Sequence, residues 1–196
     1  MSKKVLILSA SPRKGGNSDL LCGQFAKGAE EAGHQVEKIR VQEKKIATCL
    51  ACYGCRGTGI CVQRDDMAAI LDKMVTADVL VLATPVYFYS MDGQLKTLID
   101  RTLPRYTEIR DKEVYLIATA AAGRGAMERT MEAMEGFTDC LPGAVVKGKI
   151  YAPASTRRAK SWTPRRSRKP TSWAKKSERE RRLTRFHGTI YRARTV

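Results

Sequence analysis

The chain has 196 residues, 43% of them hydrophobic, and a formal net charge of +16. That length suits one α/β domain with a real core, and no apolar run reaches the roughly 20 residues that span a bilayer. The charge suggests nucleic acid only until it is divided by position: residues 1–152 hold 21 Lys and Arg against 18 Asp and Glu, whereas residues 153–196 hold 15 against 2. The body is nearly neutral, and the excess belongs to the tail.

Lys4–Ser9 is a continuous apolar run of the kind a strand buried on both faces needs. It is too short for the roughly 7–15 residues of a signal h-region, so we expect a cytoplasmic protein whose thiols stay reduced. A Ser- and Gly-rich loop follows, then a helix from about Asp19 to Ala32, with Asn17 or Ser18 as candidate caps. Gln35–Val41 alternates as an outer second strand would. A helix is expected over Asp65–Thr76, a third strand over Asp78–Ala83 and a helix over Gly93–Leu103. A fourth strand follows at Lys112–Thr119, a helix at Ala126–Cys140 and a fifth strand at Ala144–Tyr151. The Met127, Met131 and Met134 stripe reads as core packing. Cys22 and Cys140 read as buried helical thiols, and His34 as a surface residue.

Strands alternating with helices predict a doubly wound parallel sheet of five strands in the flavodoxin-like order 2-1-3-4-5. Ligands of such sheets sit beyond the carboxyl ends of the strands, at the switch point between strands 1 and 3. The two loops there are distinctive. Ser9, Ser11, Arg13, Asn17 and Ser18 put hydroxyls, amides and one positive charge at a helix N-terminus, which suits a phosphate. Pro85, Val86, Tyr87 and Phe88 offer backbone amides and flat aromatic surfaces. Together they describe a pocket for flavin mononucleotide (FMN), with the small residues of the third loop, Ala121 and Gly123, letting backbone approach the ring.

The loop after strand 2, residues 48–64, holds Cys49, Cys52, Cys55 and Cys61 in a C-x2-C-x2-C-x5-C pattern. Four soft sulfurs on a turning, Gly-containing loop suit an iron–sulfur cluster, with zinc as the chemical alternative.

SASPRKGGNSD, the cysteine loop followed by DDM, and ATPVYFYSMDGQLKTLIDR resemble, in that order, the NADPH-dependent FMN reductase superfamily. Within it the chain most resembles the iron–sulfur flavoproteins, over about residues 3–152. The resemblance implies FMN beside a 4Fe–4S cluster ligated by Cys49, Cys52, Cys55 and Cys61. It also implies NAD(P)H as a possible electron donor, a homo-oligomer (dimer or tetramer), and a ferredoxin or a small molecule as redox partner. No nucleic acid and no membrane is expected. The rivals are a flavin or quinone reductase without a cluster, and a basic nucleic-acid-binding protein on a flavodoxin-like scaffold.

Residues 153–196 form a basic, irregular segment where such a fold needs its last covering helix. Three origins compete: a nucleic-acid- or lipid-binding arm, an extension without function, and a frame-shifted translation of that helix. In the shifted frame Trp162–Thr163 would encode Asp and Trp173–Ala174 would encode Gly, and the neighbouring codons permit an acidic amphipathic helix.

Overall fold

The computed structural model describes residues 1–153. The basic tail and its possible frame-shifted origin lie outside them. Five strands run parallel: β1 (Lys4–Ser9), β2 (Gln35–Arg40), β3 (Val79–Tyr87), β5 (Glu113–Ala120) and β6 (Val145–Pro153). They lie side by side as β2-β1-β3-β5-β6, which is the flavodoxin-like order expected. A two-residue strand, β4 (Ser90–Met91), pairs antiparallel with β3 through Val86↔Met91 and Tyr87↔Ser90.

Burial follows residue type. Val5 to Leu8 on β1 and Leu80 to Leu82 on β3 are all 3% exposed or less, and each such side chain removed from water stabilises by roughly 1.5–3 kcal/mol. Period-2 alternation divides these residues between the two faces of the sheet. Leu6, Leu8, Leu80, Leu82 and Leu116 pack with three helices: α2 (Met67–Thr76), α3 (Gly93–Asp100) and α4 (Gly125–Asp139). Met127, Met131 and Met134 are buried in that layer, as the stripe predicts. On the other face α1 (Asn17–Glu31) buries Cys22, Phe25 and Ala29, and Phe25 meets Tyr115 edge-on at 5.1 Å. Among the described residues no other helix covers that face, and β6 stays half-exposed along its length.

Several boundaries differ from expectation. The cap of α1 is Gly16, and no side chain caps the helix; Asn17 and Ser18 already lie inside it. α2 starts at Met67, because the Asp65 carboxylate accepts the Met67 N–H at 3.1 Å and serves as a turn ahead of the helix. β3 continues through Pro85 to Tyr87. Cys140 caps α4 and is exposed; only Cys22 of that pair is buried, and burial pushes its thiol up to about 11. No described helix is long and apolar enough to cross a membrane.

Candidate cofactor site and cysteine loop

Parallel pairing aligns Ser9 with Ala83 and with Arg40, so the loops after β1, β2 and β3 leave the same edge of the sheet. In the first loop the Ser11 hydroxyl accepts the Arg13 N–H at 3.3 Å, and the Gly16 N–H closes a turn on the Arg13 carbonyl at 3.1 Å. A Cβ on Gly16 would stand 3.1 Å from Arg13 Cβ and carbonyl and 3.3 Å from Ser11 Oγ. The turn is therefore a tight cradle leading into the first amides of α1, which no side chain caps. That geometry fits an anion.

Of the five residues read for the phosphate, the structure keeps three in the turn of the cradle and its exit into α1 and ties two into the structure beneath. Arg13 is exposed, Asn17 is half-buried, and Ser11 is buried within the turn. Ser9 Oγ lies 3.5 Å from the Asp19 carboxylate, and Ser18 Oγ is 2.8 Å from Thr119 Oγ1 at the end of β5. Ser18 thus ties the start of α1 to the third loop. Asp19 is buried, accepts the Gly15 N–H at 2.9 Å, and faces Lys38 Nζ at 2.5 Å and Arg40 Nη1 at 2.8 Å. Burial alone would raise its pKa. The Lys38 hydrogen bond, the Gly15 amide and the Lys38 and Arg40 charges outweigh it and hold the carboxyl below its usual range. The sequence assigns Asp19 to the start of the helix and gives it no place in the site, although Lys38 and Arg40 stand at alternate positions of β2 to meet it.

The ring segment is a hairpin. β3 and β4 are joined by Phe88 and Tyr89, both left-handed with φ of 50° and 62°. Two consecutive positive φ values make the turn that matches strand twist, and bulky side chains there are strained. Pro85 and Val86 are half-buried, Tyr87 is exposed, and Phe88 projects fully into solvent. Beneath the hairpin Thr84 Oγ1 donates to the Pro85 carbonyl at 2.8 Å and accepts the Asp92 N–H at 3.0 Å. Asp92 caps α3 by accepting the Leu95 N–H at 3.0 Å, its second oxygen is buried without a partner, and burial pushes its pKa up to about 6. In the third loop Ala121 and Gly123 are exposed, and a Cβ at Gly123 would meet nothing.

The cysteine loop doubles back on itself. Ala51 and Tyr53, on either side of Cys52, are left-handed. A Cβ on Gly54 would come within 2.7 Å of Val62 Cγ1 and 3.8 Å of Cys52 Sγ. Cys49 and Cys52 are exposed, and Cys55 and Cys61 are half-buried. Among the described residues, no three His, Cys, Asp or Glu side chains converge as a metal ion requires. The donor set nevertheless fits an iron–sulfur cluster in kind, with four thiols on a folded loop and no harder ligand among them.

One helix joins the two halves of this edge. α3 begins directly after the ring hairpin, and Gln94 in its first turn donates to Gln42 at the entrance of the cysteine loop. Past its other end, Arg101 donates to the Ala47 carbonyl at 2.7 Å and grips Asp65 with two bonds of 2.7 and 2.9 Å.

A flavodoxin-like sheet with an anion cradle after β1 and an aromatic hairpin after β3 defines a nucleotide-binding flavoprotein class. The family model for NADPH-dependent FMN reductase matches residues 3–157, and the chain belongs to that family. It is therefore an FMN-dependent oxidoreductase. An iron–sulfur flavoprotein of Methanocaldococcus jannaschii is 35% identical over 136 residues, covering 68% of this chain and 70% of that protein. An iron–sulfur flavoprotein of Methanosarcina thermophila is 30% identical over 148 residues, covering 74% and 77%. The crystal structure of an azoreductase from Bacillus anthracis superposes with a TM-score of 0.62 at 18% identity, covering 77% of this chain and 85% of that one. At that identity the likeness concerns the fold.

Proposed function

We propose that this chain binds FMN at the β1–β3 edge, is reduced by NAD(P)H, and passes electrons singly through a 4Fe–4S cluster held by Cys49, Cys52, Cys55 and Cys61. The single observation that carries the reading is α3, which holds the ring hairpin at one end and the neck of the cysteine loop at the other. Ser11, Arg13, Asn17 and the first amides of α1 bind the FMN phosphate. Ser9 and Ser18 act from beneath, fixing Asp19 and Thr119 so that the cradle keeps its shape. Pro85, Val86, Tyr87 and Phe88 orient the ring by backbone amides and aromatic contact, and Ala121 and Gly123 close the third side. FMN supplies two-electron chemistry with its donor and one-electron chemistry with its acceptor. The protein's part is to hold the two centres close and exclude water. The names of the curated relatives support this reading. A reducing cytoplasm suits the exposed thiols, a homo-oligomer covers the aromatic hairpin, and a ferredoxin or a small molecule takes the electrons.

A second reading, a flavin or quinone reductase without a cluster, draws on the ungathered thiols. Anaerobic purification separates the two. The first requires yellow flavin bands, a broad brown shoulder, and about four iron and four sulfide per chain. Replacing Cys52 by Ala should then remove the iron and leave FMN bound. FMN with neither iron nor sulfide establishes the second.

A further inference from the structure

Arg101 has a side chain only 1% exposed and sits where α3 ends. Both of its terminal nitrogens are engaged: Nη1 serves Asp65 and the Ala47 carbonyl, and Nη2 serves the other oxygen of Asp65. Asp65 in turn accepts the Ala47 N–H at 3.0 Å. Ala47 precedes the first cysteine of the loop by two positions and Asp65 follows the last by four, so this knot closes the loop's neck. A second layer beside it, Lys45 N–H to Asp66 at 2.8 Å and Asp66 N–H to the Lys45 carbonyl at 3.0 Å, does not involve Arg101. The neck therefore remains paired when Arg101 is changed.

Among the donors left over, Arg101 Nε–H is buried and has no partner. A buried donor left unpaired is costly, and such an atom calls for an acceptor. Of the four loop cysteines, Cys61 is the one that shares a cavity wall with Arg101. The cavity, of about 520 Å³, lies between the cysteine loop, α2 and residues 101–108. The carboxylates on that wall are already paired: Asp65 with Arg101 itself, and Asp72 and Glu108 with Arg105.

We infer that Arg101 is a positioning and tuning residue for the cluster: it locks the loop's neck through Asp65 and Ala47, and its Nε–H donates to the Cys61 sulfur when that sulfur is a ligand. The inference rests on the cluster reading above. Hydrogen bonds to ligand sulfur and a nearby fixed positive charge both favour the more negative, reduced cluster, so they raise its potential. Lysine supplies the charge without the fork or the Nε–H.

The test compares the full-length wild type with Arg101→Gln and Arg101→Lys, each loaded anaerobically with FMN, iron and sulfide. Cluster content, cluster reduction potential, the EPR spectrum of the reduced cluster and FMN affinity are measured. FMN affinity should be unchanged throughout. The cluster of Arg101→Gln should be harder to reduce and spectroscopically altered, with Arg101→Lys between it and the wild type. Loss of the cluster alone in Arg101→Gln, FMN being retained, also supports the inference. Three coincident potentials on intact clusters overturn it. So does loss of FMN and fold in both variants, because Arg101 would then be structural only. A wild type that takes up FMN but no iron or sulfide overturns the cluster reading itself and this inference with it, and so the two failures are distinguishable.

Discussion

Asp92 shows what a single buried carboxyl does to this site. Its cap on α3 needs one oxygen; the other is buried without a partner, and burial moves its pKa from an ordinary 3.8 to about 6. Ionisation is therefore harder in the folded chain than in the unfolded one. By linkage, stability falls as pH rises through the interval between those two values, and the full cost is present above the higher one. Asp92→Asn keeps an oxygen for the Leu95 N–H and removes the charge. At pH 7.5 it should raise stability by up to about 3 kcal/mol, or roughly 6–12 °C in Tm for a chain of this size. Below about pH 4 the advantage should disappear, because wild-type Asp92 is then neutral in both states. Equal melting temperatures of the two proteins across that whole range would sink the idea.

The adjacent glycines of the phosphate loop separate two kinds of intolerance. Gly15 has φ +68° with open space around it, so alanine there is strained by backbone conformation alone, at roughly 1–2 kcal/mol. Gly16 has φ −72°, which any residue adopts, but its Cβ would press on the Arg13 carbonyl and Ser11. Gly15→Ala should lower Tm while FMN still binds. Gly16→Ala should leave Tm nearly unchanged and weaken FMN by about tenfold, roughly 1.4 kcal/mol, by widening the cradle. Titration of the apoproteins with FMN measures both, and an unaffected Gly16→Ala affinity would remove the phosphate from this turn.

The elements differ in how far they could be read in advance. β1 was legible to the residue because a strand buried on both faces writes itself as an unbroken apolar run. The sequence ends β3 at Ala83, since Thr84-Pro85 looks like a break. Yet Pro85 continues in register opposite Thr119, near the carboxyl end of the strand where the ladder is ending. The hairpin to β4 carried no Asn-Gly or Asp-Gly signal, because its turn is made by two strained aromatics. The site was half legible for a similar reason. Local chemistry marked Ser11, Arg13 and the four cysteines. Long-range partners marked nothing: Ser18 finds Thr119, and Arg101 finds Asp65 and Ala47, only once the sheet has brought them together.

At the scale of the whole molecule, more than half of the large hydrophobic side chains exposed among the described residues lie on the ring hairpin and the cysteine loop. Phe88 is fully exposed at a left-handed position, flanked by Tyr87 and Tyr89 that are about half-exposed. Leu50, Tyr53, Ile60 and Val62 extend the apolar surface along the cysteine loop. Backbone strain and exposed aromatic area together favour covering this edge with a second copy, which would also shield the flavin from water. Phe88→Ser leaves every described hydrogen bond of the hairpin in place while removing its largest exposed side chain. Sedimentation velocity should show the wild type as a dimer or tetramer and Phe88→Ser shifted toward monomer, with dimer affinity down about tenfold or more for a lost aromatic anchor. FMN affinity should fall in parallel, because a partner on this edge would shelter the ring. A wild type that sediments as a monomer while holding FMN tightly would mean that the hairpin closes over the ring unaided.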